Sequence, residues 1–182
     1  MAARSSNAQR PINRNNARRV VEGDLNIQTF LPYPDFARSA QVLDDKRLGK
    51  QRVETLQILH VLLGLRWNLS AGVIEAFEPK GWRNHPAVRM WRGYEPALLA
   101  YQDGTCQEWT RRGFNDTCYP KAVGLAALSP LIAGVEAQQP PWLGLEELHR
   151  SHQSNLIRKD PDIYAPLFPD VPADLPYFWP LP

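Results

Sequence analysis

Apolar positions recur at helical spacing in three long stretches of this chain and almost never alternate, which predicts an all-α fold. The first stretch, about Asp44 to Leu63, is the clearest. Asp44 and Asp45 put negative charge at the positive end of a helix dipole, and Gly64 ends it. The second is expected from Glu95 to Arg112, with Pro96 in its first turn, Arg111 and Arg112 in its last, and Gly113 just beyond. Leu98, Leu99, Gln102, Cys106 and Trp109 supply its core stripe. The third runs from about Leu145 to Lys159 and stops at Asp160-Pro161. Ahead of these, Ile27–Leu31 reads as a short extended segment, and Asp35 as the cap of a short helix through Val42. Residues 65–80 read as a loop with one helical turn around Ile74, and residues 119–143 as a Pro-, Ala- and Gly-rich connection. From Pro161 onward, seven prolines predict an extended tail that wraps the domain, anchored by Tyr177, Phe178 and Trp179.

A length of 182 residues with 43% hydrophobic content is enough for one compact domain, expected over 26–182. Residues 1–25 are Ser-, Asn-, Arg- and Ala-rich without a hydrophobic period and read as a disordered Arg-rich arm. No apolar run is long enough to cross a bilayer, and the start of the chain has no apolar signal region. With only Cys106 and Cys118, neither a disulfide framework nor a zinc site of paired cysteines is expected. A cytoplasmic monomer is the expectation. The net charge of +2 is uneven: five arginines lie in the first 19 residues, leaving 16 basic against 19 acidic residues in the remainder. Nucleic-acid binding therefore has to rest on local clusters rather than on overall charge.

One such cluster lies on the first long helix. Arg47, Lys50, Gln51, Glu54 and Ile58 share a face at helical spacing, while Leu48, Val53, Leu56, Leu59 and Leu63 project from the other side toward a core. A single carboxylate flanked by cations is expected to be held ionised. The cations would position a phosphate backbone, and the carboxylate would stabilise an oxocarbenium-like sugar as a base departs. The plain alternative is that Lys50 and Glu54 form a surface ion pair. Arg52 falls within the apolar arc, so it must snorkel or find an internal partner.

Here the sequence resembles the pyrimidine-dimer DNA glycosylase (endonuclease V) family. The run Asp45-Lys-Arg-Leu-Gly-Lys-Gln-Arg-Val-Glu54 resembles the family helix that ends in the catalytic glutamate, which puts Glu54 in that place. Asn84-His85-Pro-Ala-Val-Arg-Met-Trp91, Tyr94 and the stretch through Cys106 to Asn115 resemble its second block. Closer still is the likeness to a cytoplasmic branch of the family, carried by Thr29 to Phe36 and by Arg150 to Pro161. The resemblance implies excision of a base from duplex DNA without a cofactor. Characterised members use the α-amino group of an N-terminal threonine as nucleophile. Thr29 is the nearest counterpart, but 28 residues precede it. Lys50 is the candidate substitute amine, and a monofunctional glycosylase is the simpler expectation.

Other residues complete the candidate set. His152, Asn155 and Lys159 share a helix face beside Ser151 and Arg158, polar enough to contact phosphates or an extruded base, or else simply a solvated face. His85 either caps a helix or faces the site. Arg89, Arg92 and Arg112 are candidate phosphate contacts, and Trp82 the candidate for stacking on a base. Glu146 and His149 spell half of a di-metal motif with no second half, so no metal is expected. The expected function is a DNA glycosylase acting on a damaged or modified nucleotide. The rivals are a non-catalytic module for damaged DNA and an enzyme acting on free nucleosides.

Overall fold

The computed structural model describes residues 28–79 and 81–180, so the arm expected over 1–25 lies outside the described residues. In chain order the elements are α1 (Phe36–Gln41), α2 (Asp45–Leu63), β1 (Leu65–Asn68), β2 (Val73–Ala76), α3 (Pro86–Trp91), α4 (Glu95–Arg111), α5 (Cys118–Leu128), α6 (Glu146–Lys159) and α7 (Pro161–Tyr164). A 3-10 turn at Trp82–Asn84 leads into α3.

The three long helices stand where their periodicity places them, and their ends are chemically explained. Asp44 accepts the Arg47 N–H at 3.1 Å and so satisfies one of the free donors at the start of α2. Gly64 closes the same helix at φ +63°, a left-handed turn that a side chain resists. Asp35 caps α1 through the Arg38 N–H.

Two expectations are corrected. The fold is mainly helical but not all-α, because residues 65–76 form an antiparallel hairpin pairing Leu65 with Ala76 and Asn68 with Val73. The turn around Ile74 is therefore a strand. Four-residue strands are too short for alternation to register as a period, although β-branched Val73 and Ile74 suit one. The connection expected at 119–143 begins with helix α5. Pro120 sits in its first turn, where its missing N–H leaves nothing unpaired, and the alanines favour helix. Gly124 has a packing reason: a Cβ there would lie 2.8 Å from Trp67 Cζ2. The Trp67 indole lies across this gap and donates to Lys121 O at 2.9 Å.

Helix α2 is central, packed against α3, α4, α5 and the hairpin. One core gathers Leu56, Ile58, Leu59, Trp91, Leu98, Tyr101, Trp142 and Trp179, and a second Phe30, Leu43, Leu48, Leu156, Tyr164 and Phe168. Because neighbours surround α2, it buries polar residues too: Gln51, Arg52 and Glu54. Its exposed stripe is Lys46, Lys50, Val53 and Gln57. Val53, expected inside, is 44% exposed, since the arc facing solvent is rotated round the helix from the face the polar pattern suggested. The tail passes over α6, tied by Leu175 to Arg158 and Ser154, and it buries Trp179. No described helix is long and apolar enough to cross a membrane.

Candidate active site

Residues 28–32 run as an extended segment with no strand partner, and side chains of α2, α4 and α6 take the place of one. Phe30 N–H donates to Gln51 Oε1 at 2.8 Å, and Leu31 N–H to His152 Nδ1 at 2.8 Å. Tyr101 Oη lies 2.9 Å from Phe30 O and 2.8 Å from Gln51 Oε1, its one proton serving either acceptor. His149 Nε2 accepts the Gly144 N–H, so its Nδ1 carries the proton and donates to Leu31 O at 2.7 Å. Gln153 holds Pro32 O, and Asn155 Nδ2 reaches Gln28 Oε1 at 3.3 Å. The polar signature on α6 is thus largely a clamp on this segment. His149 spends one ring nitrogen on it and the other on Gly144, and no group of three or more His, Cys, Asp or Glu poised for a metal occurs among the described residues.

The clamp delivers the segment to Glu54. This carboxylate is 4% exposed. Gln51 Nε2 donates to Oε2 at 3.0 Å, Lys50 Nζ stands 3.2 Å from Oε1, and the Gln28 backbone N–H donates to the same group. Neighbouring cations favour its ionised form as expected, but burial outweighs them. Burial raises its pKa above the ordinary carboxylate value, and Lys50, the Gln28 N–H and Lys159 offset that only in part. The Lys50–Glu54 ion pair named as the plain alternative is present, but its carboxylate member is buried rather than at the surface.

The model of the family described as pyrimidine dimer DNA glycosylase matches residues 27–120, just over half of the chain. The chain belongs to this family. No curated protein and no solved structure matches it. The family match takes in the clamped segment, all of α2, the hairpin, α3 and α4, and therefore Glu54, Lys50, Gln51 and His85. It stops in the first turn of α5, so the α6 clamp and the tail that close this glycosylase-family site lie beyond it.

The cations of this glycosylase-family chain divide into two groups. Arg47 pairs with Asp44 and, at 3.5 Å, with Asp160. Arg52 faces away from Glu54: it pairs with the largely buried Asp116 and lies 4.1 Å from the Trp109 ring centroid. It has the internal partner its position requires. Arg112 is similarly occupied by Asp45, Glu108 and backbone carbonyls between α1 and α2. Lys50 is largely exposed at the mouth of the site, and Lys159 is its neighbour. Lys159 is the lysine whose pKa falls below its ordinary value, by partial burial first and then by Lys50, Arg47 and Arg158. Lys50 and Lys159 both act on Glu54, while Arg47 and Arg158 act on Lys159. Arg158 also fastens Leu175 O. Arg89 is half-buried on α3, and no hydrogen bond or ion pair joins it to Glu54 among the described residues.

His85 takes the capping role considered for it, and no hydrogen bond or ion pair joins it to Glu54 among the described residues. Its Nδ1 accepts the Ala87 N–H and caps α3, while its ring stacks on Trp82 at 5.8 Å and meets Trp179 edge-on at 6.4 Å. Trp179 continues to Tyr177 (4.6 Å) and Tyr177 to His152 (4.8 Å), so one aromatic string joins His85 to the clamp. Burial, reinforced by the charge of Glu54, pushes the Tyr177 phenol well up, and its hydroxyl has no hydrogen-bond partner. Thr29 is fully buried and its Oγ1 accepts the Trp91 indole N–H at 3.0 Å, so its hydroxyl belongs to the core. Gln28, Tyr101, His149 and Tyr177 are missing from the sequence-derived site. Tyr177 left a signal as an aromatic in an otherwise proline-rich tail, and His149 one that pointed to a metal motif rather than to a backbone clamp.

Proposed function

We propose that this chain is a DNA glycosylase that breaks the N-glycosidic bond of a damaged or modified nucleotide in duplex DNA, with Glu54 as the catalytic carboxylate. The observation that supports it is the burial of Glu54 beside two cations, Lys50 and Lys159, with a clamped backbone N–H against it. Phosphates would rest on Lys50 and Lys159. As the C1′–N bond breaks, its electron pair leaves with the base and positive charge develops on the sugar. A carboxylate already stripped of water meets that charge with little reorganisation, and its unfavourable desolvation is relieved at the same moment.

The group that then adds to C1′ decides between simple hydrolysis and a lyase route. The nitrogen against Glu54 is that of Gln28, not Thr29. In the intact chain it is an amide and cannot attack, so water activated by Glu54 is the nucleophile. A chain processed to begin at Gln28 would place an α-amino group there and gain a Schiff-base step.

Incubation with duplexes carrying a cyclobutane pyrimidine dimer or other modified bases tests this reading. Base release that disappears in Glu54→Gln, with DNA binding retained, is the expected result. Binding without release from any duplex would replace it with a damage-recognition module. Turnover of mononucleotides alone would replace it with a nucleoside enzyme.

A further inference from the structure

The outer stripe of α2 continues past Lys50 to a cavity of about 190 Å³ lined by Gln57, His60, Val61, Phe77, Pro79 and Trp82. We propose that this cavity is a slot for an extruded nucleobase. That volume gives the cavity room for a flat aromatic ring system. Its walls are aromatic: Trp82 is 39% exposed and is backed by His85, whose ring lies at 25° to it, and Phe77 meets His60 edge-on at 6.5 Å. Among the described lining residues none carries a charge at neutral pH, because burial, helped by Arg66 and Lys121, lowers the His60 pKa to about 4. A neutral, flat, heteroaromatic ligand is therefore the matching chemistry.

Polar groups for reading such a ligand are present and unspent. Gln57 is exposed and its amide makes no hydrogen bond, which leaves a paired donor and acceptor for the edge of a base. His60 Nε2, and His85 Nε2 behind Trp82, are buried without partners. Position supplies the rest. Gln57 lies one turn beyond Glu54 and two beyond Lys50 on the same helix, about 10 Å from Lys50 to the slot at 1.5 Å per residue. A strand whose phosphates sit on Lys50 and Lys159 thus has the slot within reach of an adjoining base. This inference rests on the glycosylase reading for the source of the base, not for the slot's ability to hold one.

Two measurements test it separately from the chemistry. Nuclear magnetic resonance titration of the whole chain with adenosine and thymidine, to about 10 mM, reads the slot directly. The expected result is shifts at the Trp82 indole, the His60 ring and the Gln57 amide, none with ribose 5-phosphate, and loss of these shifts in Trp82→Ala. Retained dispersion of the other indole signals shows that this variant is folded. With a damaged duplex, Trp82→Ala should slow base release roughly tenfold, the loss expected of one base–aromatic stack, and leave binding to an abasic duplex unchanged. Base release lost in Glu54→Gln but unaltered in Trp82→Ala and Gln57→Ala, with no nucleoside shifts, overturns the slot and leaves the glycosylase standing. Shifts confined to the slot without release from any duplex uphold the slot and overturn the glycosylase.

Discussion

Gln51 and Glu54, one turn apart on α2, share a hydrogen bond of 3.0 Å, while the other end of the Gln51 amide accepts the Phe30 N–H at 2.8 Å. One side chain therefore sets both the depth of the extended segment and the environment of the carboxylate. Gln51→Ala leaves Phe30 N–H without an acceptor and removes one donor from Glu54, while Tyr101 keeps Phe30 O, a loss of roughly 1–3 kcal/mol from chemical denaturation. Gln51→Glu keeps the acceptors but sets a second carboxylate beside the first. The acidic limb of the base-release profile should then move to higher pH. An unmoved limb would detach Gln51 from the chemistry.

Glu54→Gln should stabilise the fold while it abolishes base release. The folded-state pKa of Glu54 lies above its ordinary 4.5, so the folded protein holds the proton more tightly than the unfolded chain does. Below pH 4.5 both states are protonated and glutamate behaves like glutamine. As pH rises past 4.5 the unfolded chain ionises first, and the wild-type protein loses stability until the raised folded value is passed. The thermal midpoint of Glu54→Gln should thus match the wild type near pH 4 and exceed it at pH 7. Equal midpoints across this range would contradict the burial cost.

Arg52→Met should destabilise without touching catalysis. It removes the partner of the buried Asp116, whose remaining donors are the N–H groups of Cys118 and Tyr119, and it uncovers Trp109. A loss of roughly 3–5 kcal/mol is expected from denaturant titration. The rate of base release per folded molecule, measured well below the melting temperature, should remain that of the wild type.

The nucleophile can be assigned by borohydride trapping on a damaged duplex. The full chain should give no covalent adduct. A version beginning at Gln28 should give one, and acetylation of its α-amine, with a pKa near 8, should remove it. Trapping by the full chain that vanishes in Lys159→Ala would assign the amine to Lys159 instead, and trapping that vanishes only in Lys50→Ala to Lys50.

Acid should unlock the clamp. Burial, then His149, lowers the His152 pKa from 6.5 to about 3, so the unfolded chain takes up this proton before the folded one does. The stability it contributes is complete above pH 6.5 and is lost as pH falls from there toward 3. His152→Asn retains an acceptor for Leu31 N–H but cannot titrate. Its unfolding free energy should be lower at neutral pH and vary less steeply with pH across this window, His60 supplying part of the residual slope through its own value of about 4.

What could be read along the chain was whatever local chemistry decides. The three long helices, the Asp44 and Asp35 caps and the Gly64 stop follow from spacing and end-group satisfaction within a few residues. The Lys50–Glu54 contact needs only α2. Tertiary packing alone decided that α2 is surrounded, and this turned Glu54 from a screened surface charge into a buried carboxylate with a raised pKa. It also decided that His149, His152, Gln153 and Asn155 grip a segment some 120 residues earlier in the chain, and that Trp82 and Gln57 wall one slot. Desolvation and long-range hydrogen bonding depend on which surfaces meet, and the residues that meet here are separated in sequence by far more than any periodic pattern spans.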